Sequence, residues 1–171
     1  MKKAIDWNAL REQAYEMACR HGFHDKKRSV ETAVELIHCE LAEATESLRK
    51  GEPKHWLAEG GKPEGFCVEL VDAIIRILDF MGETGMQETQ PQYDPFVTVL
   101  SPMELMKVVR MYLCKVCTWF DADKNEANIL LNKALYILVK WIEFEELDAE
   151  ELIREKMAYN ATRSYMHGKA F

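Results

Sequence analysis

The chain has 171 residues, nearly half of them apolar, with only five prolines and eight glycines. This length suits a single domain with a sizeable core, and the composition favours a helical fold. The formal net charge of −7, with no cluster of lysine or arginine to offset it, argues against nucleic acid as the main partner.

No segment of the sequence has the pattern of a membrane span or a secretion signal. Residues 1–10 lack the apolar core of a signal peptide. No apolar run reaches the roughly 20 residues that a helix needs to cross a bilayer. We therefore expect a soluble, cytoplasmic protein that has no membrane partner.

The first two predicted helices are followed by a loop rich in glycine and proline. Apolar residues recur at helical spacing over residues 7–21. A second helix is predicted over residues 29–50, with Ser29 as its N-terminal cap and Gly51 as its stop. The loop over residues 51–65 then leads to the third helix.

The third predicted helix, over residues 67–81, is apolar around nearly its whole circumference. Such a helix is buried, because a surface helix carries only one apolar face. It is expected to end near Gly82 or Gly85. Residues 87–102 contain three prolines and no helical period, which predicts a long connection or lid.

Three further helices complete an all-α bundle of about six helices without a convincing strand. Two apolar helices are predicted over residues 102–120 and 125–144. Asp148 begins the last helix, with Glu151 as its capping-box partner, and this helix runs to about Tyr165. We predict one domain over residues 1–171, made of a core hairpin at about 29–85, an extra helical pair at about 102–144 and a C-terminal helix at about 148–165.

One thin polar stripe interrupts the third helix. Its members are Glu69, Asp72, Arg76 and Asp79, and spacings of three, four and three residues align them along a helix. A lone carboxylate in an apolar interior is too costly to remain ionised. These acids must therefore pair with cations, accept hydrogen bonds or bind a metal ion.

The second helix also directs acids inward. On a helical wheel Glu40 falls inside the apolar arc and Glu43 lies at its edge. The opposite face, where solvent is expected, carries Glu31, Glu35, His38, Thr45 and Arg49.

These two sets of acids are predicted to meet. In an antiparallel hairpin Glu43 lies about 10 Å before the end of the second helix, and Glu69 about 7 Å past the start of the third. Glu40, Glu43, Glu69 and Asp72 would then form a cluster whose mutual repulsion a divalent cation relieves. Oxygen ligands favour Mg²⁺, with Mn²⁺ as an alternative. The competing interpretation pairs the acids with bases in the bundle, for example Arg76 with Asp72 or Asp79, and Asp79 is expected to serve in a salt bridge.

The pattern of acids resembles a known family. Glu40-x-x-Glu43, then 25 intervening residues, then Glu69-x-x-Asp72 is similar to the signature of the MazG-like, all-α nucleoside triphosphate pyrophosphatases. The resemblance covers about residues 22–80 and 155–169. Further similar segments are Leu36 to Ala44, Lys62-Pro63-Glu64-Gly65, Lys156-x-x-x-Asn160-x-x-Arg163 and His167-Gly168-Lys169.

The resemblance implies hydrolysis of a nucleoside triphosphate to the monophosphate and pyrophosphate with Mg²⁺. It implies that the four acids of the motif hold the metal and carry the catalysis, that Lys156 and Asn160 contact phosphate, and that the chain forms a homodimer or homotetramer. Spacings of four and three residues place Lys156, Asn160 and Arg163 on one helical face, where two cations and an amide suit a phosphate chain. Ordinary basic residues near a helix C-terminus would show the same pattern.

Two other functions remain open from the sequence. A non-catalytic helical interaction module would use the acids in salt bridges. A carboxylate-bridged bundle with two iron or manganese ions normally needs Glu-x-x-His pairs, and the facing positions carry none.

Overall fold

Six α-helices account for most of the described chain in a computed structural model that covers residues 5–89 and 100–168. The predicted all-α class is confirmed. Of the connection predicted at residues 87–102, residues 90–99 lie outside the described part, as does Lys169 of the C-terminal motif. The helices are α1 (Trp7–Arg20), α2 (Val30–Lys50), α3 (Phe66–Thr84), α4 (Pro102–Trp119), α5 (Lys124–Phe144) and α6 (Ala149–Ala161).

Capping residues set the ends of α2 where the sequence predicts them. The Ser29 hydroxyl accepts a hydrogen bond from the Thr32 amide at 3.2 Å, which satisfies one of the free amides of the first turn. Gly51 adopts the left-handed conformation at φ +68°, and its amide donates to the Leu48 carbonyl. These contacts hold the helix that carries two of the predicted metal ligands.

A short β-hairpin lies in the loop between α2 and α3, where the sequence predicts no strand. Strand β1 (Trp56–Leu57) pairs antiparallel with β2 (Pro63–Glu64). Gly60 and Gly61 form the turn at φ +76° and +75°, which glycine adopts without a steric cost. Two residues per strand are too few to show the alternation of polar and apolar positions by which a strand is recognised.

Helix α3 is the centre of the bundle, as its apolar pattern predicts. It packs against α1, α2, α5 and α6, and most of its side chains are buried. Helix α1 lies close to α3 at Gly82, where an added Cβ atom would lie 2.6 Å from the Cβ atom of Tyr15. No helix within residues 5–89 and 100–168 has the combined length and apolarity to cross a membrane.

The last helix is shorter than predicted. Asp148 caps its start by accepting from the Glu151 amide at 3.2 Å, but α6 ends at Ala161 and not near Tyr165. After Ala161 the chain turns, and the Met166 amide donates to the His21 carbonyl at 2.9 Å. The C-terminal residues thus contact the end of α1, an interaction that no local sequence pattern reveals.

One side chain on the face of α2 predicted to be exposed is largely buried. Helix α4 packs against α2, and the side chain of His38 is only 14% exposed. Its burial lowers the pKa of the imidazole, and the charge of Arg110 on α4 adds to this effect. The prediction that His38 faces solvent is therefore wrong, because a helical wheel of α2 cannot show that a second helix covers this face.

Candidate functional site

Helices α2 and α3 bring three of the four predicted acids together. The helices run antiparallel, since Arg28 reaches Glu83 at one end while Glu43 meets Glu69 near the other. One carboxylate oxygen from each of Glu40, Glu43 and Glu69 lies within 4.8 Å of the others. The predicted matching depth of the two motifs is confirmed for these three residues.

The three acids differ in their exposure to solvent. Glu40 and Glu69 are buried, with 5% and 8% exposure. Glu43 is exposed, in agreement with its predicted position at the edge of the apolar arc. The group therefore opens toward solvent on the Glu43 side, and an ion could enter there.

Asp72 lines the same cavity but has a cationic partner on α6. The Lys156 ammonium lies 2.9 Å from one Asp72 carboxylate oxygen, and the Asn160 amide donates to the other at 3.4 Å. The described residues thus show a group of three convergent carboxylates with Asp72 beside it, and not the compact cluster of four that was predicted. The difference arises because α6 packs against α3 and supplies Lys156.

The other charges of the α3 stripe are paired in ways that were predicted only in part. The Arg76 guanidinium donates to Glu40 at 2.5 Å. Arg76 therefore pairs with an acid inside the bundle, as the competing interpretation expects, but its partner is Glu40 and not Asp72 or Asp79, the examples given there. Asp79 is confirmed in a salt bridge, since it lies 2.9 Å from Arg28 and 2.6 Å from His24. Spacing on one helix aligned these residues but could not identify their partners.

The acids form one wall of a cavity of about 360 Å³ between four helices. Helix α1 supplies an apolar wall that includes Ala14, Met17 and Ala18. Lys62 from the β-hairpin and Arg163 from the segment after α6 also line the cavity. The volume falls in the range of about 300–1,000 Å³ that small-molecule sites occupy.

Burial, together with the crowding of negative charge, raises the pKa values of two acids in the site. Burial is the largest cause that raises the pKa of Glu69 to about 8, and Asp72, Glu43 and Glu40 raise it further against the opposing effect of Lys156. Burial also raises the pKa of Asp72, although Lys156 acts in the opposite direction. A divalent cation stabilises the ionised carboxylates of such a site, and oxygen donors suit Mg²⁺ or Mn²⁺.

All three residues predicted to bind phosphate line the cavity, but their surroundings differ. Lys156 is 3% exposed and also donates to the Pro63 carbonyl at 3.1 Å. Asn160 is buried, and its side-chain oxygen has no hydrogen-bond partner among the described residues. Arg163 is partly exposed. Their contact with phosphate stays a prediction.

Sequence analysis did not name Lys62, Arg28 or Arg76 as site residues, although all three line the cavity. Lys62 belongs to the Lys-Pro-Glu-Gly segment that carries part of the family resemblance, and this signal could have drawn attention to it. Arg28 precedes the cap of α2 and has no comparable signal. It enters the cavity wall through its pairing with Asp79.

The fold and the cavity define the class as an all-α protein with an acidic site between antiparallel helices. The oxygen ligands of that site suit a divalent cation. No protein-family model, no curated protein and no solved structure matches the chain.

Proposed function

We propose that the protein is a Mg²⁺-dependent nucleoside triphosphate pyrophosphohydrolase that removes unwanted nucleotides from the cytoplasmic pool. It would cleave ribo- or deoxyribonucleoside triphosphates to the monophosphate and pyrophosphate. The observation that carries the proposal is the convergence of Glu40, Glu43 and Glu69 within 4.8 Å beside a cavity of about 360 Å³. The choice of reaction rests on the resemblance of the motifs to the MazG-like family.

The charge of the site supports binding of one divalent cation. Arg76 and Lys156 each neutralise one of the four acids, namely Glu40 and Asp72. Glu43 and Glu69 form no salt bridge with any residue in the described ranges. Two negative charges thus remain when both acids are ionised, and a single Mg²⁺ or Mn²⁺ balances them.

In this proposal the site residues have three roles: holding the ion, positioning its ligands and contacting the substrate. Glu40, Glu43 and Glu69 would hold the ion, with Asp72 beside them. The bound ion would draw phosphate oxygens together and lower the pKa of a coordinated water. Arg76 and Lys156 hold the carboxylates of Glu40 and Asp72 in fixed positions, so that little reorganisation is needed when substrate binds. Of the three predicted substrate contacts, Asn160 and Arg163 keep that role in the proposal, whereas Lys156 is paired with Asp72.

The apolar wall from α1 gives the cavity a second function in this proposal. Ala14, Met17 and Ala18 line the cavity together with the acids, and an apolar wall would strengthen the attraction between charges in the site once a substrate displaces water. The family resemblance adds assembly as a homodimer or homotetramer to the proposal. Neither nucleic acid nor a membrane is proposed as a partner.

A helical interaction module is the second candidate, and a specific observation favours it. Glu40 and Asp72 have the ion-pair partners that this function requires. The interaction module leaves Glu43 and Glu69 unexplained, and it predicts that Mg²⁺ does not change the melting temperature.

A bundle with two iron ions is less well supported, because the three convergent carboxylates are not joined by histidine. It would acquire visible absorbance after iron loading.

The direct test is incubation with a panel of nucleoside triphosphates, with and without Mg²⁺, followed by ion-exchange separation of the products. We expect the monophosphate and pyrophosphate from at least one substrate, only with the metal. Release of the diphosphate and inorganic phosphate would contradict the proposal.

Substitutions test whether the acids carry the reaction. Glu40→Gln and Asp72→Asn are each expected to reduce turnover by a factor of about 100 or more, because they remove fixed charges around the ion. Glu46→Gln is the matched control, since Glu46 lies on α2 but pairs with Arg49 on the surface. Circular dichroism checks that each variant is folded. Full activity of Glu40→Gln or Asp72→Asn would exclude these acids from catalysis.

A further inference from the structure

The cations that line the cavity are not equally able to receive a phosphate group. Three of them are bound to acids that have little contact with solvent: Arg76 to Glu40, Lys156 to Asp72 and Arg28 to Asp79. The side chains of these acids are between 7% and 17% exposed. If such a cation moved to a ligand, it would leave a buried carboxylate without its partner, which is strongly unfavourable.

Lys62 is in a different situation. Its side chain is 40% exposed, and its ammonium lies 2.5 Å from a carboxylate oxygen of Glu64. The side chain of Glu64 is itself 23% exposed. Water can solvate Glu64 when Lys62 leaves it, so the exchange of a carboxylate for a phosphate costs little at this position. Arg163 shares this property, because it lines the cavity and forms no salt bridge with the residues described at 5–89 and 100–168.

The β-hairpin holds the backbone of Lys62 in place at the cavity. The Lys62 carbonyl accepts from the Ala58 amide at 2.8 Å, inside the turn formed by Gly60 and Gly61. The next carbonyl, that of Pro63, accepts from the buried Lys156 ammonium at 3.1 Å. This link connects the hairpin to Asp72 through Lys156, so Lys62 stands next to the acidic site on a fixed backbone.

We propose that Lys62 binds the polyphosphate chain of the substrate, and that Lys156 acts as a positioning residue that keeps Asp72 in place. The inference rests on the proposed function and refines it, since it assigns phosphate binding to Lys62 of the hairpin and not to Lys156 of α6. A triphosphate supplies oxygen acceptors for the Lys62 ammonium while the carboxylates hold the cation. In the absence of substrate the Lys62 ammonium forms an ion pair with Glu64, so the Glu64 carboxylate competes with the phosphate for Lys62.

Calorimetric titration with inorganic triphosphate in the presence of Mg²⁺ tests this assignment separately from turnover. Lys62→Ala is expected to weaken triphosphate binding by a factor of about 10 to 100, the usual value of a hydrogen bond between charged groups. Lys62→Arg should restore most of the affinity. The matched control is Lys54→Ala, because Lys54 lies in the same loop but pairs with Glu145 outside the cavity.

Glu64→Gln distinguishes phosphate binding by Lys62 from a purely structural role of Lys62. Removal of the competing carboxylate should strengthen triphosphate binding, by a factor of about three for a partly exposed ion pair. Titration with Mg²⁺ alone then separates the two lysines. Lys62→Ala should bind Mg²⁺ like the wild type, whereas Lys156→Met should bind it more weakly because Asp72 loses its partner.

The results separate this inference from the proposed function. Wild-type affinity of Lys62→Ala for triphosphate would overturn the assignment of Lys62 and leave the pyrophosphohydrolase intact. Equal loss of Mg²⁺ and triphosphate binding in Lys62→Ala would also overturn it, since Lys62 would then act through the metal site. A wild-type protein that binds Mg²⁺ and triphosphate but cleaves no nucleotide would contradict the proposed function alone. Failure of the wild type to bind triphosphate would contradict both.

Discussion

Glu69 should make the protein less stable as the pH rises, when divalent metal has been removed. Its folded-state pKa is about 8, above the ordinary value of 4.5, mainly because the carboxyl is buried and secondly because Asp72 is close. Between these two values the folded protein retains a proton that the unfolded chain has lost. The free energy of unfolding therefore falls as the pH rises from about 4.5 to about 8, and this contribution is constant outside that window.

The size of the effect follows from the difference between the two pKa values. At about 1.4 kcal/mol per pKa unit, the full difference corresponds to about 5 kcal/mol. The cavity admits water, and neighbouring charges can relax, so we expect about half of this value to be observed. Glu69→Gln removes the ionisation and should make the protein about 2 to 3 kcal/mol more stable than the wild type at pH 8. Near pH 4.5 the two proteins should be equally stable.

Thermal and urea unfolding of both proteins in EDTA, followed by circular dichroism from pH 4.5 to 9, measures the difference. A gain of 2 to 3 kcal/mol corresponds to a rise in melting temperature of roughly 5 to 10 °C for a chain of this length. Glu46→Gln is the control, because Glu46 forms a surface pair with Arg49 and should leave the pH dependence unchanged. Addition of Mg²⁺ should raise the melting temperature of the wild type more than that of Glu69→Gln.

Parallel curves for wild type and Glu69→Gln across this pH range would refute the reasoning. They would mean that the Glu69 carboxyl is well solvated or is paired with a cation in solution. A variant less stable than the wild type at pH 8 in EDTA would refute it equally, since the carboxylate would then be stabilising.

Two further substitutions test the packing and the ion pairs around the site. Gly82→Ala should destabilise the protein by about 1 to 3 kcal/mol in urea unfolding, because the new Cβ would lie 2.6 Å from the Cβ atom of Tyr15; a stabilised variant would show that α1 does not cross α3 closely. Asp72→Asn should cost about 2 to 3 kcal/mol at pH 7 in EDTA, because the buried Lys156 loses its carboxylate. Unchanged stability of Asp72→Asn would indicate that this pair contributes nothing to the fold.

The helices could be predicted from the sequence because their signals are local. The apolar arc of α2, its serine cap and the glycine at its end all lie within one segment, and the structure confirms them. Burial of α3 was likewise evident from its composition. The hairpin at Trp56–Leu57 and Pro63–Glu64 was missed because its strands have two residues each. No local pattern indicates that α6 ends at Ala161 or that Met166 contacts His21.

The site shows where spacing stops being informative. The period of a helix predicts which side chains share a face, and this was sufficient to predict that Glu40, Glu43 and Glu69 lie close together. It does not predict which cation crosses from another element. Lys156 reaches Asp72 from a helix near the C-terminus, and Arg76 reaches Glu40 and not an acid of its own stripe. Long, flexible side chains make these contacts, so they depend on how the helices pack.

The ion pairs divide four acids that the spacing treated as equivalent. Burial raises the pKa of both Asp72 and Glu69. Glu40 and Asp72 each have a cation that would lose its partner, whereas Glu69 has no salt bridge within the described ranges. Loss of a carboxylate should therefore lower stability at Asp72 and raise it at Glu69 when metal is removed, although both losses should weaken Mg²⁺ binding. If the acids served only in structural salt bridges, loss of either carboxylate would lower the stability of the protein. Opposite effects on stability with a shared effect on metal binding would instead identify a cation site whose ligands are held in place by neighbouring ion pairs.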